Sequence, residues 1–333
     1  MRITTSALFG LAVLTAAMPG MAWGQAAPPP AATETVATAI PGVVAAGTKI
    51  EVIKSGFTGT EGPIGLPDGS LIFTETQANR ITRIDKDTGA TTTFLENTNG
   101  SNGLGWDAKG RLISVQTTPG AARIGVIYPK GAEATITDNY DGKPYGRPND
   151  LVVSKSGGIY FSEPGPNATP GQPPPTPALP PAVYFVPPGG KAVQITTTIE
   201  RPNGIVLSPD EKTLYVNNTN GEYITAFDVA ADGKPSNPRN FAKYPTVTKT
   251  PAGLPNSGSD GLAVDADGRV YCASLGGIHV FSPKGEHLGT IPVSLQPQNL
   301  AFAGADKKTL YMVGRGSAFK VRLLAAGFGG RGK

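Results

Sequence analysis

From residue 48 onward, short runs of alternating apolar and polar residues follow one another in a recurring order. A polar residue, usually followed by Gly, leads into a few apolar residues; an Asp/Lys/Gly turn then precedes a second alternating run. Two copies are Glu61-Gly62-Pro63…Pro67-Asp68-Gly69-Ser70-Leu71-Ile72-Phe73 and Asn203-Gly204-Ile205…Pro209-Asp210-Glu211-Lys212-Thr213-Leu214-Tyr215. The others begin at Asn102, Asn149, Asp260 and Asn299, so neighbouring starts fall 39 to 57 residues apart. Alternation over a few residues predicts half-buried strands, and the Asp and Gly positions supply turn chemistry. A strand–turn–strand unit repeating at roughly 40–50 residues predicts the blades of a β-propeller.

A weaker echo of each phrase supplies further strands, at Asn79–Asp85, Ala182–Val186, Tyr223–Asp228 and Gly277–Phe281. No helical period of useful length interrupts them. The expectation is an all-β, six-bladed propeller over 48–325, with a β-sandwich as the weaker alternative. A strand near Ile50-Glu51-Val52-Ile53 is expected to complete the last blade and protect its edge. Two segments break the period. The Pro-rich stretch 164–181 and the connection 237–259 read as surface insertions or as loops roofing one mouth of the channel.

Residues 1–24 begin with Arg2, continue through the apolar run Ala7–Ala17 and end in small residues, which describes a secretory signal peptide. The run is too short to span a bilayer, so the mature protein is expected to be secreted, to a bacterial periplasm, with no membrane contact. The Ala/Pro-rich residues 25–47 read as a disordered leader and the Gly/basic residues 326–333 as a flexible tail.

Composition narrows the chemistry. Of 333 residues, 44 are Gly and 32 Pro, which disfavours helices. The net charge of +4 is spread along the chain, so nucleic acid is not an expected partner; a monomer or weak homo-oligomer is. A single cysteine, Cys272, excludes an intramolecular disulfide and a Cys-based zinc site, and two histidines, His279 and His287, exclude a three-His site. Both histidines fall on a strand and its turn, and no Gly-x-Ser-x-Gly elbow is present, which disfavours a Ser/His/Asp hydrolase. Cys272, Trp106 and Tyr160 read as core, and Glu75 and Glu163, at strand ends, as supporting groups.

The register of the six phrases places Glu61, Asn102, Asn149, Asn203, Asp260 and Asn299 at the first position of each inner strand, near one channel mouth. Four Asn and two carboxylates form a ring of hard oxygen donors. Two buried carboxylates repel and are costly to desolvate unless a cation compensates them. Oxygen donors carrying about two negative charges suit Ca²⁺ first, with Mg²⁺ and Mn²⁺ close behind and Zn²⁺ less suited. Asn and Asp also satisfy turns, a reading that fits Asn102 and Asn299, whereas Glu is poor turn chemistry.

Thr60-Glu61-Gly62-Pro63, Arg147-Pro148-Asn149-Asp150, Arg201-Pro202-Asn203-Gly204 and Ser259-Asp260-Gly261-Leu262 resemble the landmarks of the SMP-30/gluconolactonase, or regucalcin-like, family. The resemblance covers nearly all the chain after residue 48. It implies a six-bladed propeller that hydrolyses sugar lactones with one divalent metal. By position, Glu61, Asn203 and Asp260 match the metal ligands, Asp260 also the general base, and Arg147 and Asn149 the substrate-holding residues. The Pro-rich 164–181 segment departs from the family pattern where the substrate-covering loop lies, which leaves the lactone unidentified. Two rivals share the scaffold: a calcium propeller acting on another ester or an organophosphate, and a non-catalytic propeller whose ion is structural.

Overall fold

A computed structural model describes residues 30–167 and 177–330. The signal peptide expected at 1–24, the middle of the Pro-rich segment and the last three residues lie outside the described residues. All regular structure among them is β, and no helix there is long and apolar enough to cross a membrane.

Five four-stranded antiparallel sheets and one five-stranded sheet form the six blades. Their inner strands are Thr60–Gly65, Ser101–Trp106, Leu151–Val153, Pro202–Leu207, Leu262–Val264 and Asn299–Ala303. Each phrase delivers its two strands, and the turn between them carries an Asp in five of the six blades, Ser154 closing that of blade three. Asp107 Oδ1, for example, accepts the amides of Lys109 and Arg111 at 2.9 and 2.8 Å. The apolar residues sort into six clusters, one in each gap between adjacent blades. Ile64, Ile72 and Leu104 pack between blades one and two; Phe57, Phe73 and Tyr311 pack between blades one and six. An occupied gap on both sides of every blade is what closes the ring.

The closing strand is Lys49–Ser55, which pairs with Ser317–Arg322, placing Ile50 opposite Val321 and Val52 opposite Phe319. The leader differs from expectation. Thr35–Val36 adds a fifth strand outside Lys49–Ser55, and Ile40, Val43 and Val44 are buried in the cluster between blades five and six. A few aliphatic residues in an Ala/Pro background are enough to anchor it. The tail also differs: the Ala326 carbonyl accepts from Ala266, the Gly327 amide donates to Lys307 and Phe328 packs under Val264. Of the segment 237–259, residues up to Lys243 belong to the outer strand of blade four, Pro235–Lys243, and only the remainder is a connection. Tyr160 and Cys272 are core residues as expected, while Trp106 is half-buried and donates its indole N–H to the Gly65 carbonyl.

Candidate active site

Neighbouring inner strands touch through their backbones at one mouth, and these contacts fix which residue faces the axis. The amides of Gly103, Gly204 and Gly261 donate to the carbonyls of Asn149, Asp260 and Gln298 at 3.0, 2.9 and 2.7 Å. In blade four glycine is required at this step: a Cβ on Gly204 would stand 2.1 Å from the Asp260 carbonyl oxygen. Counting from these contacts, the ring consists of Glu61, Asn102, Asn149, Asn203, Asp260 and Gln298. The sixth member is thus Gln298, one residue before the expected Asn299. Asn299 occupies the glycine step instead. Its Oδ1 accepts the Leu300 amide at 2.9 Å, as Asp150 Oδ1, at the same step of blade three, accepts that of Leu151.

Glu61 sits across the closing seam from Gln298 and Asn299, whose carboxamides donate to its two oxygens at 3.4 and 3.3 Å. The Asn203 amide group donates to Thr219 Oγ1, which donates in turn to the Ser259 carbonyl. This orientation leaves Asn203 Oδ1 buried without a partner, and the same holds for Oδ1 of Asn102, Asn149 and Asp260. A buried acceptor left unpaired costs about 1–3 kcal/mol, so four around one axis form a cradle suited to a cation. Asp260 is half-buried as a residue, yet its Oδ1 is closed off from water. Burial first, then the negative charge of Glu61, holds its carboxyl well above the usual range against the opposing pull of Arg147. Among the described residues, no three His, Cys, Asp or Glu side chains cluster closely enough to hold a metal by themselves. Any ion here needs the Asn oxygens.

The loops entering the inner strands are clamped by the ends of the second strands. Glu163 accepts the Arg147 amide at 2.9 Å and the Gly146 amide at 3.2 Å, while burial pushes its carboxyl up. Glu75 does the same for Thr58, and Asn218 for Arg201. The clamp presents Arg147 at the mouth with its Nη1 buried and unpartnered. Arg201 donates to the Pro166 carbonyl and to Asn167 Oδ1. Burial, then the nearby Arg147 charge, lowers its pKa. A cavity of about 910 Å³ opens beside Arg147, walled also by Arg123, Asp138, Tyr145 and Asn167.

Behind Asp260 lies a network that the repeat does not announce. Asn217 donates to the Asp260 carbonyl at 2.6 Å and accepts from Tyr244 and Cys272. Burial pushes the Cys272 thiol far up, which removes it as a nucleophile. His279 and His287 stand on the third and fourth strands of blade five, away from the ring. His279 Nε2 faces the Leu275 carbonyl and its Nδ1 faces Thr290 Oγ1, the arrangement of a neutral ring. A second cavity of about 750 Å³, lined by Trp106, Phe94 and Lys155, lies at the opposite mouth and contains no ring residue. It takes no part in the site.

Residues 59–315 match the model of the SMP-30/gluconolactonase/LRE-like region. A gluconolactonase of Zymomonas mobilis is 31% identical over 297 residues, covering 83% of this chain and 81% of that protein. A solved gluconolactonase of Xanthomonas campestris superposes with a TM-score of 0.73 at 29% identity, over 87% of this chain and 94% of the other. A calcium-binding regucalcin of Agrobacterium tumefaciens shares the fold at 19% identity and a TM-score of 0.67, over 84% of this chain and 95% of that one.

Proposed function

The chain belongs to the SMP-30/gluconolactonase/LRE-like family, and from this premise we propose that it is a lactonase working at the ring mouth. In this reading a divalent cation, Ca²⁺ first, is held by Glu61, Asn203 and Asp260. The observation that carries the reading is the set of unpartnered, buried Oδ1 atoms of Asn149, Asn203 and Asp260 gathered at the same mouth as Glu61. When bound, the ion polarises a carbonyl as a Lewis acid and compensates the carboxylates.

The chain's own groups supply the rest. Asp260 Oδ1 takes the proton of the water that attacks the lactone carbonyl carbon. Arg147, with Nη1 unspent, stabilises the developing oxyanion. The ring C–O bond then breaks, and the proton returns to the departing alkoxide, giving the open hydroxy acid. Asn149, fixed through its backbone to Ser162 and Gly103, holds the substrate or the attacking water. The sequence of residues 1–24 supports export to a periplasm before any of this takes place.

The test is hydrolysis of aldonolactones and simple aromatic lactones by metal-stripped protein, with Ca²⁺, Mg²⁺, Mn²⁺ and Zn²⁺ restored singly. Turnover that returns with a divalent ion is the expected result. Lack of turnover with every lactone and ion would leave a ligand-binding propeller.

A further inference from the structure

In blades one to four the second strand ends on a side chain that grips the loop entering the inner strand. Blades two and four use neutral carboxamides: Gln116 Oε1 accepts from Asn99 Nδ2 at 3.0 Å, and Asn218 Oδ1 accepts the Arg201 amide at 3.1 Å. Blade one uses Glu75, which takes the Thr58 amide and meets the Arg80 fork at 2.7 and 3.0 Å. The grip itself therefore needs no net charge. Blade three nevertheless places Glu163 there, 1% exposed. Instead of a guanidinium fork, its partners are the backbone amides of Gly146, Arg147 and Gly165.

Those amides belong to two segments. Gly146 and Arg147 lead into the ring residue Asn149. Gly165 opens the segment whose Pro166 carbonyl and Asn167 Oδ1 receive the Arg201 guanidinium at 3.4 and 2.7 Å. Burial opposes the charge on Glu163, and the Arg147 charge favours it. The buried phenols of Tyr145 and Tyr184 feel the same carboxylate. In surroundings this dry an electrostatic hold is stronger than it would be in water.

We propose that Glu163 is a positioning residue for the reaction: its carboxylate fixes the Arg147 peptide from behind and steadies the guanidinium, leaving Nη1 for the oxyanion. A carboxamide in its place could grip the loop, as in blade four, but would supply no opposite charge to Arg147. The inference rests on the lactonase reading, in which Arg147 meets the oxyanion, and adds a residue that acts only through it.

The experiment is a double-mutant cycle of Glu163→Gln and Arg147→Gln, read as kcat and KM for glucono-1,5-lactone at saturating Ca²⁺. Arg147→Gln should lose about 10²–10³ in kcat, the usual worth of an oxyanion donor. Glu163→Gln should lose about tenfold in kcat with KM little changed, because the contact it supports forms in the transition state. In the Arg147→Gln background the same substitution should cost less than about threefold, since residues acting through one another are not additive. A loss of equal size in both backgrounds makes Glu163 merely structural and overturns the proposal. Calorimetric Ca²⁺ affinity should match the wild type; strong weakening would place the effect at the ion and overturn it too. Should Glu163→Gln misfold, Glu163→Asp keeps the charge but draws its oxygens back by one methylene, and the same cycle applies.

Phenylglyoxal labelling with peptide mass mapping reads the Arg147 guanidinium without any turnover. Arg147 should label faster in Glu163→Gln, while the exposed Arg322 labels as before. Unchanged labelling of Arg147 sinks the proposal even in an active lactonase. Faster labelling in a protein whose wild type opens no lactone keeps the hold of Glu163 on Arg147 and fails the lactonase reading alone.

Discussion

The Tyr244 hydroxyl lies 3.0 Å from Asn217 Oδ1, and this pair fixes the peptide that carries the candidate base. Because Tyr244 and the Cys272 thiol satisfy the Asn217 oxygen, its amide group is committed to the Asp260 carbonyl. The same hydroxyl accepts from the Asn218 amide and Ser259 Oγ, so one oxygen joins the outer strand of blade four to the entry of blade five.

Tyr244→Phe removes that oxygen and strands buried partners. Each unsatisfied group costs about 1–3 kcal/mol, so the melting temperature should fall. Asp260 loses its support at the same time, and the calorimetric affinity for Ca²⁺ should weaken with it. A lower melting temperature with unchanged Ca²⁺ affinity would make the pair purely structural.

Glu61→Gln keeps an oxygen but removes one of the two ring carboxylates. Ca²⁺ binding should weaken strongly while the propeller stays folded, since Gln can still accept from one of the two carboxamides, of Gln298 or Asn299. Unchanged affinity by titration calorimetry would place the ion elsewhere.

Asp260→Asn and Asn203→Ala should fail in different ways. The first keeps an oxygen donor and loses the proton acceptor, so kcat should drop by about 10²–10⁴ and stay low at saturating metal. The second removes a ligand alone, and excess metal should restore part of its rate. The readout is kcat against metal concentration for both variants; full recovery of Asp260→Asn would leave Asp260 as a ligand only.

The histidines should matter for pH and not for turnover. Burial lowers the His279 pKa from the ordinary 6.5. Between the lowered value and about 6.5, the unfolded chain therefore binds a proton that the fold does not, and stability falls as pH drops through that window. His279→Gln should flatten this acid slope in melting curves while keeping hydrolysis. A loss of about 10²–10⁴ in kcat with normal melting would instead point to a His base.

The blades were legible because the phrase couples turn chemistry to strand alternation, and both are local. Ring membership was legible wherever a polar residue precedes Gly, as at Glu61, Asn102, Asn203 and Asp260. It failed at blade six, where Asn299 stands on the glycine step and mimics the polar residue before it. The Gln298 side chain carries no turn preference that would have marked it. Arg201 was visible as the twin of Arg147 in Arg-Pro-Asn, yet only the fold shows that both reach one mouth. Tyr244 and Asn217 lie outside the repeated positions, and their bearing on Asp260 comes from packing between blades four and five. The leader misled because its Ala and Pro content hides the three aliphatic residues that bury.

The seam of blade six joins the two ends of the chain: Ser55 and Ser317, 262 positions apart, meet hydroxyl to hydroxyl at 2.9 Å. Glu61 lies just beyond this seam and receives the carboxamides of Gln298 and Asn299 from blade six. A ribosome must therefore release nearly the whole polypeptide before the ring can shut or the site can form. Pairing across such a separation is slow, which keeps the newly made chain open and threadable. The topology itself thus postpones activity until synthesis is nearly complete.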